Sequence, residues 1–235
     1  MRTKTLLIAA AALAAGILSS SAQTYSQNIV GYINQVLPAS ASTLICNQLQ
    51  GTNSTTTAEA VLPALQFGDE LLIWDPGIGN YDTYVYFGGG VGGWVEPDGV
   101  TMGGPPNISL GQGFYYYTGS GNLETNTFVG TVILNGSISL PASASSLVGS
   151  VAPLAATADD TNMNMPLQFG DELLLWDAGI GNYDTYVYFG GGVGGWVEPD
   201  GVTMGGPPNI GVGQGFYYYT GSGNAESWTQ SITIP

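Results

Sequence analysis

Acidic residues recur in two sets with identical spacing. Asp75, Asn80, Asp82, Glu96 and Asp98 return as Asp177, Asn182, Asp184, Glu198 and Asp200, each 102 positions later. Oxygen-only side chains in the connections at one end of a sheet are the donor set that suits Ca²⁺, so calcium is the cofactor they would hold. The spacing Asp75-x4-Asn80-x-Asp82 is not that of an EF-hand loop. The competing reading is that Asp and Asn serve as turn residues, accepting from nearby backbone N–H groups. A second chemistry open to carboxylates alone is glycoside hydrolysis. Glu96 with Asp98 flanks Pro97 in an apparent turn, and Asp69 and Glu70 are neighbours whose side chains diverge in a strand. A partner carboxylate from elsewhere would be required. A third is sugar stacking on Trp94, Trp196, Tyr84 and Tyr186, with Trp74, Tyr86, Tyr115 and Tyr117 able to line the same surface. Its alternative is that these rings fill a core or an interface.

Other chemistries are excluded by what is missing. The chain has 17 Asp and Glu, no His, and two basic residues, Arg2 and Lys4. Both sit in residues 1–22, which read as a signal peptide: a basic start, an apolar run over Leu6–Leu18, then Ser20-Ser21-Ala22 before Gln23. The mature chain then carries no cationic side chain. His-based triads, Schiff bases, phosphate clamps and His-ligated zinc all drop out, and nucleic acid is not a partner, because nothing neutralises phosphate. Gly88 to Gly93 lacks the Lys and the helix of a phosphate loop. The lone Cys46 has no internal partner; it reads as a buried apolar residue, with a bridge between chains as the alternative.

The elements that position these residues come in two copies. Leu65–Asn122 and Leu167–Asn224 differ only at Ile73/Leu175, Pro76/Ala178, Ser109/Gly211 and Leu110/Val212. Weaker similarity extends outward, as in LPASAS at Leu37 and again at Leu140. Residues 23–135 and 136–235 are therefore expected to form two homologous units of about 100 residues, an ordinary domain size. Strands are expected at 27–37, 42–48, 70–75, 81–87, 94–96, 114–118 and 127–134, with a short helix near 57–62 ended by Pro63. Asn135-Gly136 reads as a hairpin signal. Leu71 and Ile73 face one way and Leu72 and Trp74 the other, as in a strand covered on both sides. Tyr115 and Tyr117 lie opposite Phe114 and Tyr116, which assigns one face to the core and the other to a partner surface such as the sister unit. With no long amphipathic helix, the fold class is all-β: two tandem antiparallel β-sandwich or barrel-like domains.

Asn28-Ile29-Val30-Gly31-Tyr32, with Leu37-Pro38 and Asn47-Gln48-Leu49, resembles the start of uncharacterised secreted proteins of verrucomicrobial and planctomycete type. Leu110–Tyr115 and Val212–Tyr217 are similar to their L-x-P-G-x-G-[FY]-[WF] element, without the Pro. The resemblance implies a secreted β-domain and carries over no site residues. The function expected is a secreted, non-enzymatic structural or adhesive component, extracellular, at the cell surface or periplasmic. Its partners would be copies of itself or extracellular polysaccharide, and the mature chain would have no membrane span. The alternatives are a pair of carbohydrate-binding modules and a carboxylate-only glycoside hydrolase.

Overall fold

A computed structural model describes residues 29–51, 54–90, 92–190 and 194–232; the expected leader at 1–22 lies outside them. Alternating β-branched and polar residues give β1 (Val30–Leu37) and β8 (Glu124–Thr131), which pair antiparallel as a two-stranded ribbon. Between them lie β2 (Ser42–Cys46), β3 (Glu70–Asp75), β4 (Asn80–Tyr86), β5 (Trp94–Val95), β6 (Met102–Gly103) and β7 (Gly113–Tyr117), in one sheet of order β2-β7-β3-β4-β5-β6. The ribbon lays Ile33, Leu37 and Phe128 on one face of that sheet, against Leu71, Trp94, Phe114 and Tyr116. The result is a two-layer sandwich, in which each large apolar side chain fully buried contributes about 1.5–3 kcal/mol.

The second unit repeats this. β9 (Asn135–Leu140) pairs with β18 (Glu226–Ser231). β10 (Ser145–Val148), β12 (Glu172–Asp177), β13 (Asn182–Tyr188), β14 (Trp196–Val197), β15 (Met204–Gly205) and β17 (Phe216–Tyr219) form a sheet of order β10-β17-β12-β13-β14-β15. β11 (Ala156–Thr157) and β16 (Asn209–Ile210) add a two-residue pair. The expected all-β pair of antiparallel sandwiches is thus present.

Three local expectations change. Asn135-Gly136 is not a hairpin: both residues open β9 and pair with Ser231 and Gln230, because β8 and β9 belong to different ribbons. The turn Pro97-Asp98-Gly99 leads into β6, which the Gly-rich sequence hides. The helix is one turn, α1 (Ala58–Val61); Thr57 precedes it without a side-chain cap bond. The second unit has no helix there.

Outside the near-identical stretch the copies solve the same packing differently. Asn126 and Phe128 point inward from β8, where β18 has Trp228 and Gln230. Gln230 is buried, yet its amide accepts from Val151 N at 2.7 Å and donates to Met163 O at 3.3 Å. Aromatic and amide have exchanged order within one layer, with the amide bonded in place.

Candidate functional site

Asp75 and Asn80 sit at strand ends and Asp98 in a turn, but Asp82 and Asp184 lie within β4 and β13 rather than in a connection. β3 and β4 pair so that Asp75 faces Asn80 and Ile73 faces Asp82. Asp75 Oδ1 accepts from Gly77 N at 2.7 Å, a short Asx turn. Asp98 accepts from Val100 N at 2.9 Å, from Thr101 N at 2.7 Å and from the Thr101 hydroxyl. The Thr101 hydroxyl, then the two amides, hold its carboxyl below the usual range. Glu96 lies across the backbone of Gly103, so that a Cβ there would stand 1.6 Å from Glu96 Oε1. Burial, then Asp82, Glu96 and Asp75, push the Tyr84 hydroxyl up. In the second unit Asp177 bonds Gly179, Asp200 bonds Val202 and Thr203, and Glu198 covers Gly205. Tyr186 is raised by burial, Asp184 and Glu198, while Asn182 pairs with Asp177. Among the described residues no group of three or more His, Cys, Asp or Glu is arranged to hold a metal ion. Of the candidate acids, Asp75, Asp98, Asp177 and Asp200 accept from the backbone of their own turns.

Trp94 and Trp196 are corrected outright. Both are wholly buried in their unit's core, against Tyr86 and Tyr188. Strand alternation sends them inward, and no sugar ring can stack on them. Trp94 Nε1 donates to Glu59 Oε1 at 3.1 Å, and the same oxygen accepts from Gly90 N at 2.7 Å. Glu59 sits on α1, 35 residues before its indole partner, and nothing in its local sequence signals that role. Backbone bonds from Ala58 to Pro106 and from Ala158 to Pro208 make Asp159 its equivalent. Asp159 is one methylene shorter, and Trp196 Nε1 has no partner among the described residues.

Two carboxylates do meet in each unit, though not the neighbours first considered. Asp69 is buried and accepts from Gln66 N at 2.7 Å, from Gly119 N at 3.2 Å and from the Tyr116 hydroxyl. Glu124, 3% exposed, lies on the other side of that hydroxyl at 2.9 Å and accepts from Ser120 at 2.5 Å. One hydroxyl hydrogen cannot serve both carboxylates. Burial first, and with it the charge of Asp69, raises the Glu124 carboxyl against the bonds from Ser120 and Tyr116 that lower it. Asp171, Tyr218 and Glu226 repeat the arrangement. These pairs lie inside the sandwich, not across a cleft open to a substrate.

The remaining aromatic face meets the sister unit. Leu44, Tyr115, Leu147 and Tyr217 are buried together, with Leu72, Trp74, Tyr81, Leu174, Trp176 and Tyr183 around them. The ring contacts occur twice with the copies interchanged. Trp74 lies edge-on to Tyr217 at 5.8 Å, and Trp176 to Tyr115 at 5.6 Å. The Tyr81 hydroxyl bonds that of Tyr217, and the Tyr115 hydroxyl that of Tyr183. Burial pushes the Tyr217 hydroxyl up to about 12. Two shallow clefts of about 220 and 290 Å³ flank this seam, walled by Trp74 and Trp176. At the seam Cys46 is buried, its thiol 3.8 Å from Ser150 O and pushed up by burial.

Aromatic surface is left outside the seam. Phe67 and Phe87 stack edge to face at 4.9 Å and are 67% and 44% exposed. Phe169 and Phe189 do the same at 4.8 Å, 68% and 44% exposed. No protein-family model, curated protein or solved structure matches the chain. No helix among the described residues is long and apolar enough to cross a membrane.

Proposed function

We propose that this is a secreted, non-enzymatic structural or adhesive protein that acts by surface contact outside the cell. The observation that carries this is the exposed Phe67–Phe87 pair and its duplicate at Phe169–Phe189. Rings held edge to face and open to solvent on each unit are a contact surface, and two copies on one body gain from avidity. The resolved acidic turns spend their oxygens on their own backbone, and the paired carboxylates are enclosed, which suits binding rather than turnover. A matrix that is apolar or carries sugar rings is the matching counterpart.

The test is retention of the full-length secreted protein on hydrophobic and polysaccharide-coated surfaces. Burying one such ring contributes about 1.5–3 kcal/mol. Phe67→Ser with Phe169→Ser should therefore lower retention by about tenfold or more. Equal retention of variant and wild type would overturn the reading. Intact mass of the exported chain should begin at Gln23.

A further inference from the structure

We propose that the contact between the two units is exchangeable between chains, and that Cys46 seated against Gly149 restricts it to unit one with unit two, so that opened chains join head to tail. The occupant of each unit's aromatic face is then the opposite unit of a second copy. This goes beyond the surface-contact reading and does not depend on it.

The seam is built as a dimer interface within one chain. The side chains that meet there are the same in both copies: Leu44/Leu147, Leu72/Leu174, Trp74/Trp176, Tyr81/Tyr183 and Tyr115/Tyr217. Backbone bonds obey the same two-fold relation, with Cys46 N to Gly213 O at 2.9 Å and Gly149 N to Gly111 O at 3.0 Å. A self-complementary face of this kind is indifferent to which chain supplies its partner. Residues 132–134, between β8 and β9, join the units.

The equivalence is broken at Gln35, whose Nε2 donates to Val212 O at 3.0 Å where unit two has Ile138, and at two further places that bear on pairing. Position 46 meets its own counterpart, and a Cβ on Gly149 would lie 2.5 Å from both Cβ and Sγ of Cys46. Two copies of unit one would drive two cysteines into that space, closer than the Cβ separation of about 3.5–4.5 Å that a disulfide needs. Gly213 N donates to Gln48 Oε1 at 2.7 Å. Two copies of unit two would put Val151 where Gln48 stands and remove that acceptor; Gly111 N, which faces Val151 in this chain, bonds Asn47 O of its own unit instead, at 2.7 Å. Only unit one against unit two keeps both the Cys46–Gly149 fit and the Gln48 bond.

Tethering sets the concentration scale. A short link holds the units at an effective concentration of about millimolar, so the closed monomer prevails in dilute solution. The full-length chain is unfolded in urea under reductant, refolded at about 1 mM and about 1 µM, and sized by light scattering. The expected result is a ladder at multiples of the chain mass in the concentrated sample alone. Gly149→Cys should remove the ladder, and Cys46→Gly with Gly149→Cys, which moves the key to the other unit, should restore it. The double variant also guards against a single variant that merely misfolds. Monomer alone from the wild type at both concentrations overturns the exchange. A ladder that survives Gly149→Cys, or fails to return in the double variant, overturns the key. Retention on surfaces, measured on the monomer fraction, reports the Phe pairs separately.

Discussion

Replacing Glu124 and Glu226 by glutamine tests the buried acid pairs directly. Glu124 shares the Tyr116 hydroxyl with Asp69, and Glu226 shares that of Tyr218 with Asp171. Each glutamic acid is raised above its ordinary 4.5, by burial first. The folded chain therefore binds a proton that the unfolded chain releases once the pH passes 4.5. The stabilisation is complete below that value and is lost as pH rises through the folded-state pKa. While folded and unfolded forms differ by one proton, stability falls by about 1.4 kcal/mol per pH unit for each such group, about 2.7 for both. Glutamine keeps the shape and one acceptor oxygen of the side chain but has no proton to lose in this range. Urea unfolding followed by tryptophan fluorescence between pH 4.5 and 8 should show a falling wild-type stability and a flatter double variant. Self-repulsion of a chain with net charge −15 also lowers stability with pH, so the difference between the two slopes is the quantity that counts. Asp98 and Asp200 act in the opposite sense. Their carboxyls are lowered, so their contribution is present above 3.8 and lost as pH falls, which keeps it below the window. Parallel slopes for wild type and variant would refute the shared proton.

Trp94→Phe removes the donor to Glu59 and should cost about 1.5–3 kcal/mol more than Trp196→Phe, whose indole N–H has no partner among the described residues; equal losses in urea unfolding would contradict this. The acidic turns are satisfied by their own backbone at Asp75, Asp98, Asp177 and Asp200, so the melting temperature should be the same in EDTA and in millimolar Ca²⁺. A rise with calcium would show that Asp82, Glu96 and their counterparts hold an ion.

What was legible in the sequence was whatever depends on alternation. β3 reads apolar on both faces because one face meets the core at Leu71 and the other meets the sister unit at Trp74. The same rule places Phe114 and Tyr116 inward and Tyr115 on the seam. Partnerships across long separations were not legible. Glu59 reaches Trp94, and Glu124 reaches Asp69, through contacts between layers that no local spacing encodes. Trp94 and Tyr84 looked alike as candidate stacking rings, but only the sheet register shows Trp94 wholly enclosed. Asn135-Gly136 carries a strong turn signal, and tertiary pairing overrides it, since continuing β9 along β18 satisfies both backbones.

The pattern of difference between the copies follows from the seam. None of the four substitutions in the repeated stretch touches a ring that meets the sister unit: Ile73/Leu175 packs on the core side, Pro76/Ala178 sits in a turn, and Ser109/Gly211 and Leu110/Val212 precede β7 and β17. A residue on a two-fold face is used twice, once in each direction, so changing it in one copy breaks a matched pair. Trp74 packs on Tyr217 while Trp176 packs on Tyr115, and a change at Tyr115 alone would leave Trp176 facing a gap with Trp74 still filled. The inward positions of the ribbons bear no such constraint, because they pack on their own unit's core, and there the chain has drifted from Asn126 and Phe128 to Trp228 and Gln230. Asymmetry survives at the seam at Cys46 against Gly149 and at Gln48 against Gly213, where it bears on which unit may pair with which, and also at Gln35, which bonds Val212 O where unit two has Ile138.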